Sequence, residues 1–311
     1  MPTARARDGC VLYYELVGSE GPCVIYCPSW GSDLRKAPGL QHSPLGRSCQ
    51  LLLFDARGTG RSDSLPAPRW ASPRMAVLAD DVADLLDAVG WPRVHVLGCS
   101  FGAQVALTFA SRCHERVASL ALVNSHAGGG ESRGADKPVL LAHALEDMTV
   151  AERMRRMIAL ADLRRDEAWF ASPQGAAIVR FAVKQEEEIA HGVSPPPAGT
   201  PTFAPGFVEG RAWLLAARRN YDLRDKLREI GSALAGRLLV VGATHDGLVP
   251  PGALEFMHAE LLEGARAALP DGAKCQPAAE LIWMESGHWP SVTSDPSFWP
   301  RVLGFFARSC S

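Results

Sequence analysis

The stretch Arg93-Val94-His95-Val96-Leu97-Gly98-Cys99-Ser100-Phe101-Gly102-Ala103-Gln104-Val105-Ala106-Leu107 decides how this chain is read. Arg93 to Leu97 has the alternation of a β-strand, and Phe101 to Cys113 has the apolar spacing of a helix. Between them stands Gly98-Cys99-Ser100-Phe101-Gly102, a G-x-S-x-G pentad on a turn tight enough to push a serine hydroxyl out of the backbone. Alone it says little. With Gly and Ser each near ~7% of residues, three fixed positions recur by chance in about one chain of this length in ten.

Working outward, short apolar or alternating runs at Cys10 to Val17, Cys23 to Cys27, Gln50 to Phe54, Val117 to Val123, Leu238 to Val241 and Leu281 to Met284 also read as strands, bounded by Gly, Pro and Asp. Helical patterns lie between them. In Met75 to Val89, residues Met75, Leu78, Val82, Leu85, Leu86 and Val89 recur at spacings of three and four, with acids opposite. Leu254 to Leu262 and Phe298 to Phe306 read the same way. The alternation predicts an α/β fold: a mostly parallel central sheet with helices on both faces.

The alternation fails from about His126 to Ala235. Met148, Met154, Met157, Trp169, Phe170, Phe181, Phe203, Phe207 and Trp213 lie there among many charges. The expected organisation is a core of residues 1–125 and 236–311 with an inserted, mainly helical cap of residues 126–235. Within the cap, Ser194-Pro195-Pro196-Pro197-Ala198-Gly199-Thr200-Pro201 predicts an extended loop, because consecutive prolines cannot join a helix.

Composition excludes several classes. At 311 residues, 47% hydrophobic and 21% charged, the chain fits an ordinary globular protein with a sizeable core. A formal net charge of −2 gives no basic field for nucleic acid and no polybasic segment for a membrane, which leaves a small molecule as the expected partner. The start, Met1 to Gly9, has no apolar run after its arginines, and no segment approaches the roughly 20 apolar residues of a membrane helix. A cytoplasmic location is expected. The eight cysteines form no C-x-x-C pair, and several lie inside apolar patterns, as buried free thiols do.

If Ser100 is a nucleophile it needs a base, and the base needs a carboxylate to fix its tautomer and stabilise the imidazolium. Asp246, in Gly242-Ala243-Thr244-His245-Asp246-Gly247-Leu248-Val249-Pro250, follows the strand Leu238 to Val241; His288, in Glu285-Ser286-Gly287-His288-Trp289-Pro290, follows Leu281 to Met284. Both fall at the carboxyl ends of strands, where open α/β sheets place ligand-handling groups.

These three segments resemble the nucleophile, acid and histidine motifs of the α/β-hydrolase family. Asp55-Ala56-Arg57-Gly58-Thr59-Gly60-Arg61-Ser62-Asp63 is similar to the D-x-R-G-x-G-x-S turn of its lid-bearing branch, which includes esterases, enol-lactonases, carbon–carbon bond hydrolases and proline iminopeptidases. The resemblance implies a Ser100-His288-Asp246 triad and an oxyanion hole of two backbone N–H groups. The candidates are Phe101, after the nucleophile, and Trp30, in Cys27-Pro28-Ser29-Trp30-Gly31-Ser32, where Pro28 and Ser29 replace the family's usual His-Gly. No cofactor and no metal are implied.

Neighbouring residues have blander readings. Cys99 should point away from the exposed hydroxyl and serve packing. Asn124, where some relatives place the acid, cannot supply a charge. His245 reads as a loop residue, His126 as a solvated loop histidine, the Arg57 turn as structural, and Glu186-Glu187-Glu188 as a solvated helix face. The expected activity is hydrolysis of a small, largely apolar ester or lactone through an acyl-enzyme. Carbon–carbon or proline amide cleavage, and a non-catalytic receptor on the same scaffold, remain the alternatives.

Overall fold

The computed structural model describes residues 2–32, 34, 40–63, 71–129, 149–191, 207–270, 277–289 and 296–309, with the backbone alone for 185–191 and 207–208. Strands β1 (Thr3–Arg5), β2 (Val11–Val17), β3 (Cys23–Cys27), β4 (Gln50–Phe54), β5 (Val94–Cys99), β6 (Val117–Val123), β7 (Leu238–Ala243) and β8 (Glu280–Met284) form one sheet in the order β1-β2-β4-β3-β5-β6-β7-β8. Only the β1–β2 and β2–β4 pairs are antiparallel; every other pair is parallel. The three residues of β1 are too few, and too polar, for periodicity to announce them.

The helices are α1 (Pro44–Ser48), α2 (Met75–Ala88), α3 (Phe101–Arg112), α4 (Val150–Ala161), α5 (Glu167–Ala171), α6 (Pro173–His191), α7 (Phe207–Arg218), α8 (Leu227–Ala233), α9 (Pro251–Ala268) and α10 (Phe298–Arg308). Strand residues alternate between two apolar clusters. Along β6, Leu120 and Leu122 join the side covered by α2, α3, α8 and α9, while Ala121 and Val123 join the side covered by α1 and α10. All six residues of β5 are buried, as a central parallel strand covered on both faces requires. Each fully buried Leu in these layers contributes about 1.5–3 kcal/mol of transfer free energy.

Helices α4, α5, α6 and α7 pack on one another in sequence range 150–218, whereas α8 packs against α9 and places Leu227 and Ile230 in the sheet's core. Gly58 and Gly210 mark where α7 meets the core: a β-carbon on either would lie within 2.6 Å of the other's backbone. The proline-rich segment Ser194 to Pro201 and the side chains of Glu186, Glu187 and Glu188 lie outside the described residues. Among the described residues, no helix is long and apolar enough to cross a membrane. The six described cysteines are free thiols, four of them buried.

Candidate active site

Ser100 stands between β5 and α3 with φ 55° and ψ −121°, a backbone conformation that L-residues avoid. Such a residue costs on the order of 1–3 kcal/mol and persists only where its surroundings hold it. The two glycines of the pentad explain how. A β-carbon at Gly98 would lie 2.4 Å from Gly102 O, and one at Gly102 would lie 2.0 Å from Cys27 O. The helix start can therefore press against β5 and the β3 loop only because both positions are bare. Ser100 N–H donates to Val123 O at 2.9 Å, and Ser125 Oγ donates to Ser100 O at 2.9 Å.

Asp246 and His288 come together across the ends of β7 and β8. His288 Nδ1 lies 2.7 Å from Asp246 Oδ2, and both residues are buried. Asp246 Oδ1 accepts from the N–H groups of Leu248 at 2.7 Å and Val249 at 3.2 Å, so the carboxylate is fixed from both sides. With Nδ1–H donated to Asp246, the neutral ring keeps its lone pair on Nε2, the arrangement of a general base. Among the described residues no hydrogen bond joins Ser100 to His288, but both line one cavity of about 110 Å³.

Asn124, read from sequence only as a residue without charge, holds this histidine. It is buried at the end of β6 with φ 44°, and its Nδ2 donates to His288 O at 2.7 Å. Asn tolerates that left-handed backbone better than most residues. The last turn of α4 and the residues just after it grip the same loops: Gly247 N–H donates to Leu160 O at 2.9 Å, His288 N–H to Ala161 O at 2.7 Å, and Leu163 N–H to His245 O at 2.9 Å. No sequence signal links these segments, because backbone pairing across unlike elements leaves no periodic trace.

Trp30 and Phe101 line the cavity beside Ser100. Among the described residues neither N–H donates to a backbone carbonyl. Ser29 fits without glycine's freedom: the positive φ in that loop falls on Gly31, at 65°, and Ser29 Oγ donates to Cys99 O at 3.1 Å. Cys99 is buried, and burial pushes its thiol up to about 12, so it stays protonated and packs.

His126 corrects its sequence reading. It is 4% exposed rather than solvated, and it lines the cavity with Gln104 and Arg218. Burial, reinforced by the Arg218 charge, holds its imidazole down to about 3, so the ring is neutral. The loop after β6 is tied to Tyr221, whose OH donates to His126 O at 3.2 Å. His245 instead pairs with exposed Glu285, its Nε2 2.5 Å from Oε1. Arg57 is engaged structurally, donating to Asp81 Oδ2 at 2.7 Å and Asp8 Oδ2 at 2.6 Å with its guanidinium 5.3 Å from the Trp213 ring centroid.

Residues 22–291 match the family model described as alpha/beta hydrolase fold. The chain belongs to the alpha/beta hydrolase family. This hydrolase is 34% identical over 98% of both chains to a protein of Azorhizobium caulinodans named as a carbamate hydrolase, RutD, and 28% identical over 96% of both chains to one of the same name from Variovorax paradoxus. Among solved structures it is similar to the enol-lactonase of Burkholderia xenovorans LB400, with a TM-score of 0.69 and 19% identity over 98% of this chain and 100% of that one. A hydrolase of Pseudomonas aeruginosa PA01 gives a TM-score of 0.68 and 24% identity over 98% and 97%. The chain is therefore an alpha/beta hydrolase enzyme, and its fold is the one the strand alternation predicts.

Proposed function

We propose that the chain is a serine hydrolase that cleaves a small carboxylic ester or lactone through an acyl-enzyme. One observation carries the reading: Ser100 is held in a costly backbone conformation at the wall of the cavity that also receives His288, already paired with Asp246. A hydroxyl held at the cavity wall, with an imidazole oriented by a buried carboxylate in the same cavity, is the arrangement that activates a weak nucleophile.

In the proposed cycle His288 Nε2 takes the Ser100 proton as Oγ attacks the acyl carbon, and the carbonyl π pair moves onto oxygen. The N–H groups of Trp30 and Phe101 receive that oxyanion; one such donor is worth about 10²–10³ in rate. The pair returns as the bond to the leaving alkoxide breaks, and His288 gives its proton to the departing oxygen. Water, deprotonated by the same ring, then attacks the acyl-serine; its collapse releases the acid and restores Ser100. Asp246 orients the ring and stabilises the imidazolium without taking the proton.

A second reading, carbamate hydrolysis, is favoured by the relative that is 34% identical over 98% of both chains. The same residues serve it, with nitrogen attached to the acyl carbon. A fluorophosphonate probe, short p-nitrophenyl esters, lactones and N-substituted carbamates test both readings. Labelling and turnover are expected for the wild type, and Ser100→Ala should lose labelling and about 10⁴-fold or more of kcat. Absent labelling and turnover in folded wild-type protein would refute the serine mechanism. The preferred substrate separates the two readings.

A further inference from the structure

We infer that Arg211, on α7, is a positioning residue for the oxyanion hole: its guanidinium clamps the loop after β3 so that Trp30 N–H is held ready for the reaction. The proposal rests on reading Trp30 N–H as one of the two oxyanion donors, and it makes completion of that hole depend on α7.

The loop that carries Trp30 is a tight turn. Ser32 N–H donates to Ser29 O at 3.2 Å, and Ser32 Oγ donates to the same oxygen at 2.7 Å. Trp30 and Gly31 form the tip, and Gly31 supplies the positive φ, 65°, that the third position of a type II turn demands. These bonds close the turn without using Trp30 N–H. They hold the tip weakly, because glycine adopts either sign of φ about as readily. The indole adds no hydrogen bond of its own: Nε1 is buried without a partner among the described residues. Packing has to fix the tip.

Helix α7 provides that packing. The Arg211 guanidinium lies 4.4 Å from the Trp30 ring centroid, within cation–π range. It also covers Gly31: a β-carbon there would lie 2.8 Å from Arg211 Nε, so this position has to be bare for a second reason besides its φ. Arg211 is itself held, because α7 is seated on the core beside it. Gly210 presses on Gly58, and Trp213 is buried with the Arg57 guanidinium 5.3 Å from its ring centroid. Two turns further on, roughly 10 Å along the helix, Arg218 Nη2 lies 3.1 Å from His126 Nε2. Trp30 and His126 both line the cavity, whereas Arg211 is not among its described lining residues. The arginine therefore acts through Trp30 rather than on a substrate. A planar guanidinium suits this role, since it can lie flat on a ring.

Arg211→Met, similar in length but without the charge or the planar head, tests this, and Arg211→Gln should behave alike. With a p-nitrophenyl ester, kcat is expected to fall about tenfold at unchanged KM, short of the 10²–10³ that loss of an oxyanion donor costs. Affinity for a boronic acid, whose tetrahedral adduct with Ser100 Oγ carries an oxygen where the oxyanion forms, should fall by the same factor. In a Trp30→Leu background the Arg211→Met change should alter kcat less than about twofold, because the ring it acts through is gone. Hydrogen exchange of residues 29–32 should quicken in Arg211→Met whether or not the protein turns over an ester. Unchanged exchange, unchanged kcat, a change confined to KM, or an equal loss of kcat in both Trp30 backgrounds would overturn the clamp. Fluorophosphonate labelling of the wild type reports on Ser100 separately. Absent labelling with exchange that still responds to Arg211 would refute the serine reaction, and labelling with exchange indifferent to Arg211 would refute the clamp alone.

Discussion

At Ser100 the chain gives up stability to hold a hydroxyl at the cavity wall. Its φ of 55° and ψ of −121° belong to a region that only glycine visits freely. Ser100→Gly should therefore be more stable than Ser100→Ala by about 1–2 kcal/mol, the released strain less the added freedom of the unfolded glycine. Urea unfolding of the two variants measures it, and equal midpoints would mean that the elbow is not strained. The G-x-S-x-G spacing was legible because chemistry and sterics demand the same residues: Gly98 and Gly102 are bare where β5, α3 and the β3 loop touch. Asn124 was not legible in this way. Its role depends on Nδ2 reaching His288 O across 164 residues of chain, a contact no local pattern encodes.

Among the elements, α4 does more than roof the cavity. Met157 lines the cavity, and one turn later the carbonyls of Leu160 and Ala161 receive the N–H groups of Gly247 and His288, each next to or within the Asp246–His288 pair. We propose residues 126–235 as the cap, with α8 docked on the core, and the end of α4 as a brace for both loops. Gly287 is where the brace is closest: a β-carbon there would lie 2.4 Å from Ala161 O and 2.7 Å from Asp162 Cβ. Gly287→Ala should push the end of α4 off the His288 loop and lower kcat by about 10²-fold, the cost of misplacing a catalytic group by about an ångström. Gly252→Ala, where a β-carbon meets nothing within 4 Å, is the control and should leave kcat unchanged. An unaltered kcat in folded Gly287→Ala would show that the brace does not align the histidine. Core elements were legible from their apolar runs: β3, β4 and β6 have the bounds those runs predict, because central strands covered on both faces read as near-continuous apolar stretches. Helix ends were less so. The Leu254 to Leu262 pattern extends to Pro251–Ala268, since exposed turns continue a helix without apolar residues to mark it.

Across the whole molecule, two histidines buried in separate places tie stability to pH. His95 sits inside the sheet with Nδ1 2.7 Å from Ser119 Oγ, and burial holds it down to about 4; His126, against the cavity, is held down to about 3. Unfolding returns each to the ordinary histidine value near 6.5, so below that pH the unfolded chain binds protons that the native one refuses. The sign follows. Their contribution to stability is complete above pH 6.5 and is lost as pH falls toward 4 for His95 and 3 for His126. Each can add up to about 1.4 kcal/mol per pH unit to the slope of unfolding free energy in that window. Urea unfolding of the wild type between pH 7 and pH 5 should show a steep loss, and His95→Gln and His126→Gln should each flatten it by close to one proton, whatever their effect on stability at pH 7. Because the two rings lie in different parts of the fold, the double variant should lose both contributions additively. Unchanged slopes in both single variants would show that neither buried ring carries the acid sensitivity of this window.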